Sequence, residues 1–400
     1  GTEDRMFYTY GSSTRKDAFV NNRINGPGAI ILRGKHAFGI FTDLRSVFSV
    51  TNLPVDIANF AYLGLNYRPQ QKINYKENRP FTSAEMTWGE IGLSYAYRLY
   101  ERNYDRIDIG ISVKRLFGYT GSYGYVTNMD YMIPDDSTII VNNINAEVGY
   151  SLPVDYGNEI GMYNGKTIKG HGWGFDVGFT YTRLKRLAQT NYFTTFCSQP
   201  YAAYDYRVSL ALVDFGSINF KDHAEKIRIE DKSSYWENVR NYDFRGVQQL
   251  VDTVSYQFYG NDSAAYVADN FRLWLPTALS LQVDYHVQKN WFVNGSFLLG
   301  VPFSHASLRR PAVVAITPRY ETHWFEANLP ISLYDWYLPR MGLSLRFWWV
   351  TIGTEKLGEF FNFRNFTGMD AYFSIKFFFD KGNCRSARQK GCADREYKVK

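Results

Sequence analysis

Along much of this 400-residue chain the side chains alternate between apolar and polar. Ile91, Leu93, Tyr95, Tyr97 and Leu99 alternate with Glu90, Gly92, Ser94, Ala96 and Arg98. Ile107, Ile109, Ile111 and Val113 then alternate with Arg106, Asp108, Gly110, Ser112 and Lys114. A strand points successive side chains to opposite faces of its sheet, so a period of two predicts strands with one apolar face each. The rhythm recurs over 173–182, 204–212, 279–287, 325–333, 343–349 and 371–379. Weaker examples cover 28–34, 37–51, 137–150, 224–231, 291–301 and 312–320, giving about fourteen strands in all.

Tight links at Lys35-His36, Arg102-Asn103, Lys289-Asn290 and Glu321-Thr322-His323 predict hairpins and hence antiparallel pairing. Longer connections fall at 52–84, 118–136, 183–201 and 232–270, the last with a short helix expected over 243–256. Residues 118–124, rich in Gly and Tyr, read as a mobile loop. No Pro-, Gly- or Ser-rich linker divides the chain. The expected organisation is an N-terminal segment 1–27, one β-domain over 28–380, and a tail over 381–400.

Many of these strands are about 10 to 15 residues long, whereas a tilted bilayer-crossing strand needs about 9–11 in the apolar zone and soluble strands average nearer five or six. The polar faces carry full charges mid-strand: Glu90, Arg98, Asp108, Asp205, Arg207, Asp284 and Arg346. Tyr97, Tyr150, Tyr181, Tyr285 and Trp173 sit near strand ends, where an interfacial aromatic girdle belongs. Lipid supplies no partner for an open sheet edge, so such strands must close. The expected fold class is therefore all-β, an antiparallel transmembrane β-barrel with long loops and a short C-terminal tail.

Composition removes the helical alternative. Aromatic residues make up 18% of the chain, yet mean hydropathy is −0.34 and 21% of residues are charged. The most tempting uncharged stretch, 291–308, contains Asn294, Gly295, Gly300, Pro302 and His305 and is a poor membrane helix. Net charge is +6, most of it in residues 381–400, which argues for a basic tail rather than a nucleic-acid-binding domain. Three cysteines do not make a disulfide framework, but in an oxidising compartment Cys384 and Cys392 are expected to close a small loop. Arg385, Arg388 and Lys390 inside it would form a basic patch. Cys197 stands alone. No signal peptide opens the sequence, so Gly1 reads as a processed or trimmed start.

A family resemblance rests on Pro318-Arg319-Tyr320-Glu321, Trp324-Phe325-Glu326, Leu329-Pro330-Ile331-Ser332-Leu333-Tyr334-Asp335, Pro339-Arg340-Met341-Gly342-Leu343, Leu345-Arg346, Thr351-Ile352-Gly353-Thr354 and Gly368-Met369-Asp370-Ala371-Tyr372. Gly34-Lys35-His36-Ala37-Phe38-Gly39 and Arg45-Ser46-Val47 add to it. These stretches resemble a family of uncharacterised outer-membrane β-barrels from Bacteroidota. The broader architecture is similar to the fatty-acid-channel type, which includes the shuttle barrel of the type nine secretion system. The resemblance implies an outer-membrane location and a processed N-terminus, makes residues 1–27 a candidate remnant of the N-terminal plug of the fatty-acid-channel type, and carries no catalytic residues.

Motifs for phosphate cradling, zinc hydrolysis, redox dithiols and nucleophile elbows are missing from the sequence. The six histidines are scattered, and no metal or cofactor is expected. Asp284 and His286 share the expected lumen face, two apart on one strand, and are read first as part of a hydrogen-bonded lumen network with Arg207 and Arg346, because charges inside a narrow barrel need partners. The alternative is a Ser-His-Asp site on the barrel wall. Candidate lumen residues are thus Glu90, Arg98, Asp108, Asp205, Arg207, Asp284, His286 and Arg346.

The function expected is that of a noncatalytic outer-membrane barrel, an accessory or scaffold subunit of a cell-envelope assembly serving outer-membrane protein assembly or secretion. Its partners would be outer-membrane lipid and envelope proteins, with no nucleic acid. The alternative is fatty-acid-channel type transport of small hydrophobic molecules. If the last strand ends in the periplasm, counting puts the tight links outside, against the ordinary arrangement. Either the count is off by one strand or the long segments face the periplasm.

Overall fold

The computed structural model describes residues 15–157, 164–185, 204–242, 244, 246–322, 324–357 and 370–377. β1 (Arg15–Asn25) and β2 (Ala29–Arg33) run on as one strand against β3 (His36–Pro54), with Arg15 opposite Pro54 and Arg33 opposite His36. Helix α1 (Val55–Leu63) and β4 (Asn74–Glu77) lead to β5 (Phe81–Arg102) and β6 (Asp105–Met132). β7 (Ile139–Ser151), β8 (Gly170–Leu184), β9 (Tyr204–Phe220) and β10 (Glu225–Trp236) follow. Helix α2 (Val247–Tyr259) precedes β11 (Tyr266–Ala268), β12 (Phe271–Trp274), β13 (Ala278–Gln288), β14 (Trp291–Gly300) and β15 (Val313–Glu321). Short strands finish the described chain: β16 (Phe325–Asn328), β17 (Ile331–Tyr334), β18 (Leu338–Met341), β19 (Leu343–Phe347), β20 (Val350–Thr354) and β21 (Tyr372–Ile375).

All of them belong to one 21-stranded sheet, and every strand-to-strand pairing is antiparallel, as the alternation and hairpin links predict. No helix among the described residues is long and apolar enough to cross a membrane. Among the described residues thirteen single or split strands lie side by side in the order β1–β2, β3, β5, β6, β8, β9, β13, β14, β15, β16–β17, β18–β19, β20, β21. Pro330 and Gly342 interrupt the two split crossings. Among the described residues no hydrogen-bonded pairing joins the β1–β2 edge to β21.

Tight turns gather at one end. They are Gly34-Lys35, Asn103-Tyr104, Lys289-Asn290 and Trp348-Trp349, each opening on a left-handed residue at φ 61°, 57°, 48° and 50°. The opposite end carries the long connections and an outgrowth. There β6 continues past Gly118, where β8 begins, and β7 takes the neighbouring place. β10 pairs with β7, β11 with β10, and β4 with the last residues of β6. α1 covers this outgrowth through Phe60 on Tyr131, Ile133 and Val141, and α2 through Val251 on Tyr150, Tyr156 and Ile227.

Several expectations change. Residues 1–14 lie outside the described residues, and the first strand starts at Arg15, so within the segment 1–27 the residues Arg15–Asn25 are a sheet strand paired with β3 rather than plug. Its polar residues hid it, because this half of β1 has little apolar alternation. The expected strands at 137–150 and 224–231 are β7 and β10, which build the outgrowth and not the wall. Val350–Thr354 is a strand that the sequence reading missed, because the turn before it is Trp348-Trp349, without Gly, Asn or Asp. With that strand included, β21 runs towards the tight-turn end. Residues 118–124 are no loop but the middle of β6. Their glycines make room: a Cβ on Gly118 or Gly121 would lie 2.8 or 2.6 Å from the ring of Phe220, which is fully buried. The helix expected at 243–256 is α2, a few residues later.

Candidate functional site

The two faces of the sheet differ in the way a soluble sandwich would invert. The apolar residues of the alternation are bare on the outer face: Leu93 is 62% exposed and Val177 53%, with Ile109, Ile111, Leu281, Val283 and Ile316 also exposed. The inner face holds the charges, Arg45 at 3% and Glu90 at 2% exposure. In the tight-turn half its positions are small, among them Gly92, Ser94, Ala96, Gly110, Ser112 and Ser209, with Ser94 and Ser112 hydrogen-bonded at 2.7 Å. Towards the other end, Met86, Trp88, Leu116, Ile218, Phe220, Leu273 and Leu308 form a buried apolar core on that same inner face.

Between these two layers lies a belt of charge. Arg45 on β3, Glu90 on β5, Lys114 on β6, Asp176 on β8 and Asp214 on β9 come from five successive strands. Arg45 Nη1 and Nη2 donate to Asp214 Oδ1 and Oδ2 at 2.8 and 3.0 Å. Lys114 Nζ lies 2.8 Å from both Asp176 and Asp214, and Arg310 Nη2 donates to Asp214 at 2.7 Å. Arg45 stacks over Trp88, whose Nε1 donates to Glu90 at 3.1 Å. A buried carboxylate is tolerated only with such partners.

Asp214 is the residue that sequence reasoning missed, and a signal was present. On β9 the even positions Tyr206 and Leu210 face outward, and parity would put Asp214 among them. Instead Asp214 adopts φ 55° and the register with β8 slips between Phe175 and Val177, a bulge that turns the carboxylate inward. A charge on the apolar parity of a strand is the mark of such a slip. Its backbone N donates to Asp176 at 2.7 Å and its carbonyl accepts from Thr277 at 2.7 Å, which holds the bulge.

The loop 301–312 enters the interior beside this belt. Its backbone bonds Trp274 twice, Trp274 N to Ala306 O at 3.0 Å and Leu308 N to Trp274 O at 3.1 Å. Arg310 reaches Asp214, Arg309 N donates to Ser49 Oγ at 3.0 Å, and His305 Nε2 lies 3.1 Å from Glu147. Glu147 on β7 also accepts from Tyr123 Oη at 2.6 Å and Arg228 at 2.7 Å. Burial pushes the Glu147 carboxyl up, but hydrogen bonds from Tyr123, Arg228, Lys226 and His305 outweigh that and hold it down at about 2.

The candidate lumen residues divide among separate places. Glu90 joins the central belt. Arg98 and Asp108 meet near the tight turns, 3.6 Å apart, with Glu101 and Arg106. Asp284 bonds Tyr204 and Arg319 rather than Arg207, although Arg207 faces it across the strands. Arg207 stacks over Tyr204, and Tyr204, expected on the apolar face, is turned inward by a register slip next to Asp205. Arg346 pairs with Glu326 at 2.8 Å and Glu321 at 3.8 Å. Asp205 lies 3.9 Å from Lys185. His286 is hydrogen-bonded to Lys289 O at 2.8 Å and stacked on Phe292, so the Asp284–His286 pairing of a hydrolase is not formed. Among the described residues no three His, Cys, Asp or Glu are grouped to hold a metal. Cys197, Cys384, Cys392, Arg385, Arg388 and Lys390 lie outside the described residues.

No curated protein and no solved structure matches this chain. A family model described as a family of unknown function, DUF5723, matches residues 3–355, and the chain belongs to that family.

Proposed function

We propose that this protein is an outer-membrane β-barrel of Bacteroidota type whose interior is blocked, from the charged belt towards the outgrowth, by its own residues, and that it serves as a noncatalytic scaffold or accessory subunit of an envelope assembly. The observation that carries the membrane reading is the exposed apolar face of the wall strands. A bare apolar band of this extent is far beyond what a soluble monomer tolerates, and lipid would cover it. The wall strands between the tight turns and the charged belt are the membrane-spanning segments in this reading, and the outgrowth of β4, β7, β10, β11, α1 and α2 lies outside them. β1–β2 and β21 both run towards the tight-turn end. With β21 ending on the periplasmic side, the tight turns are periplasmic and the outgrowth faces outward, the ordinary arrangement.

The scaffold reading is supported by the filled interior, where the charged belt, the apolar core and the loop 301–312 occupy the space a pore would need. It is also supported by the outgrowth, which the wall does not require and which offers a surface to protein partners. Extraction from membranes in mild detergent followed by mass spectrometry tests it. Partners recovered at fixed stoichiometry are expected, and a detergent-free monodisperse monomer would overturn the membrane reading itself. Passage of small hydrophobic molecules is a second reading, favoured by the small residues lining the tight-turn half. Steady single-channel conductance or ligand uptake in reconstituted bilayers would select it over the scaffold.

A further inference from the structure

Two successive arginines of the loop 301–312 are placed differently. Arg310 is neutralised by Asp214 at 2.7 Å. Arg309 is fixed by its backbone N–H on Ser49, yet among the described residues no carboxylate lies within ion-pair distance of its guanidinium, and its buried Nε has no hydrogen-bond partner. Arg309 is partly buried, and its charge, which an arginine keeps, has no anion facing it among the described residues. Arg309 lines a cavity of about 540 Å³ together with Arg310, His305, Tyr125, Thr51 and Thr82. His305 stacks on Tyr125 at 4.8 Å, and the Thr51 and Thr82 hydroxyls lie 2.8 Å apart, so the wall near Arg309 is rich in hydrogen-bonding groups.

We propose that this cavity binds a small solute through one carboxylate or phosphate group held by Arg309. A planar fork of donors matches either oxyanion. Asp17 and Asp335 line the same cavity, and neither pairs with Arg309. Their charge disfavours a polyanion and leaves room for a solute whose remainder is neutral or cationic. The site does not depend on the membrane reading, since its walls are the chain's own loop and strands.

The test is calorimetric titration of the full detergent-solubilised chain, at low ionic strength, with inorganic phosphate and separately with propionate. Saturable binding of at least one anion is expected, and the preferred one names the group. Arg309→Gln should weaken it at least about tenfold, with Arg309→Lys between the two. Without anion, Arg309→Gln should melt no lower than the wild type, because it removes an uncompensated charge, and anion should raise the melting temperature of the wild type only. Absence of saturable binding by either anion, equal binding by Arg309→Gln, or a lowered melting temperature of that variant without anion would each overturn the proposal.

Discussion

Arg45 and Asp214 form a two-bond fork at 2.8 and 3.0 Å, although four inter-strand steps separate β3 from β9. In a flat sheet those steps would place the two backbones about 19 Å apart. The fork therefore requires a curled sheet with its charges inside the curl. Phe19 on β1 and Tyr334 on β17, 6.3 Å apart between ring centroids, bring more distant strands together in the same way.

Asp214 neutralises Arg45, Lys114 and Arg310 at once. Asp214→Ala should destabilise the protein by about 3–5 kcal/mol, because it takes the shared carboxylate from buried Arg45 and Lys114 and partly buried Arg310. Arg45→Met should cost clearly less, since Asp214 keeps two cationic partners. Urea unfolding in detergent measures both, and equal losses would show that the belt is a set of independent pairs and not a hub.

Leu281 is exposed on the outer face and Gln282 belongs to the inner one. In a bilayer, Leu281→Arg should cost about 2–4 kcal/mol if it sits near the midplane, and Gln282→Arg much less. Unfolding from lipid vesicles compares them. A cost for Gln282→Arg as large as that for Leu281→Arg would place the wrong face in lipid.

Glu147 has a carboxyl held below its ordinary value, at about 2, so the folded state binds its proton less readily than the unfolded chain does. Its contribution is fully present above the ordinary glutamate range and is lost as pH falls from about 4.5 towards 2. Glu147→Gln should flatten that part of the stability-versus-pH curve and lower stability near pH 7. A curve unchanged by the substitution would remove Glu147 as the source.

Gly121 sits under the ring of Phe220. Gly121→Val should destabilise by about 1–3 kcal/mol through overpacking. Adding Phe220→Ala should make the valine cheaper to accommodate than it is beneath the phenylalanine ring. A double-mutant cycle in thermal unfolding reads this, and strict additivity would mean the two side chains do not meet.

Period-two alternation determined that the chain is all-β, the tight links between alternating runs determined that its strands pair antiparallel, and the alternation assigned Leu281, Val177 and Ile109 to one face, because side-chain direction along a strand is a local property. It also marked Glu90 and Asp284 as inner-face charges. It did not determine which charges meet. Asp284 finds Tyr204 and Arg319, and Glu90 joins Arg45 and Lys114, because curvature and register bring together residues on different strands. Bulges decided the rest. Single left-handed residues such as Asp214 and register slips such as the one beside Asp205 reverse the parity that local pattern propagates, and backbone pairing with neighbouring strands fixes where they fall. The tertiary structure likewise decided that 118–124 is strand, since the glycines that read as a loop are the space left for Phe220.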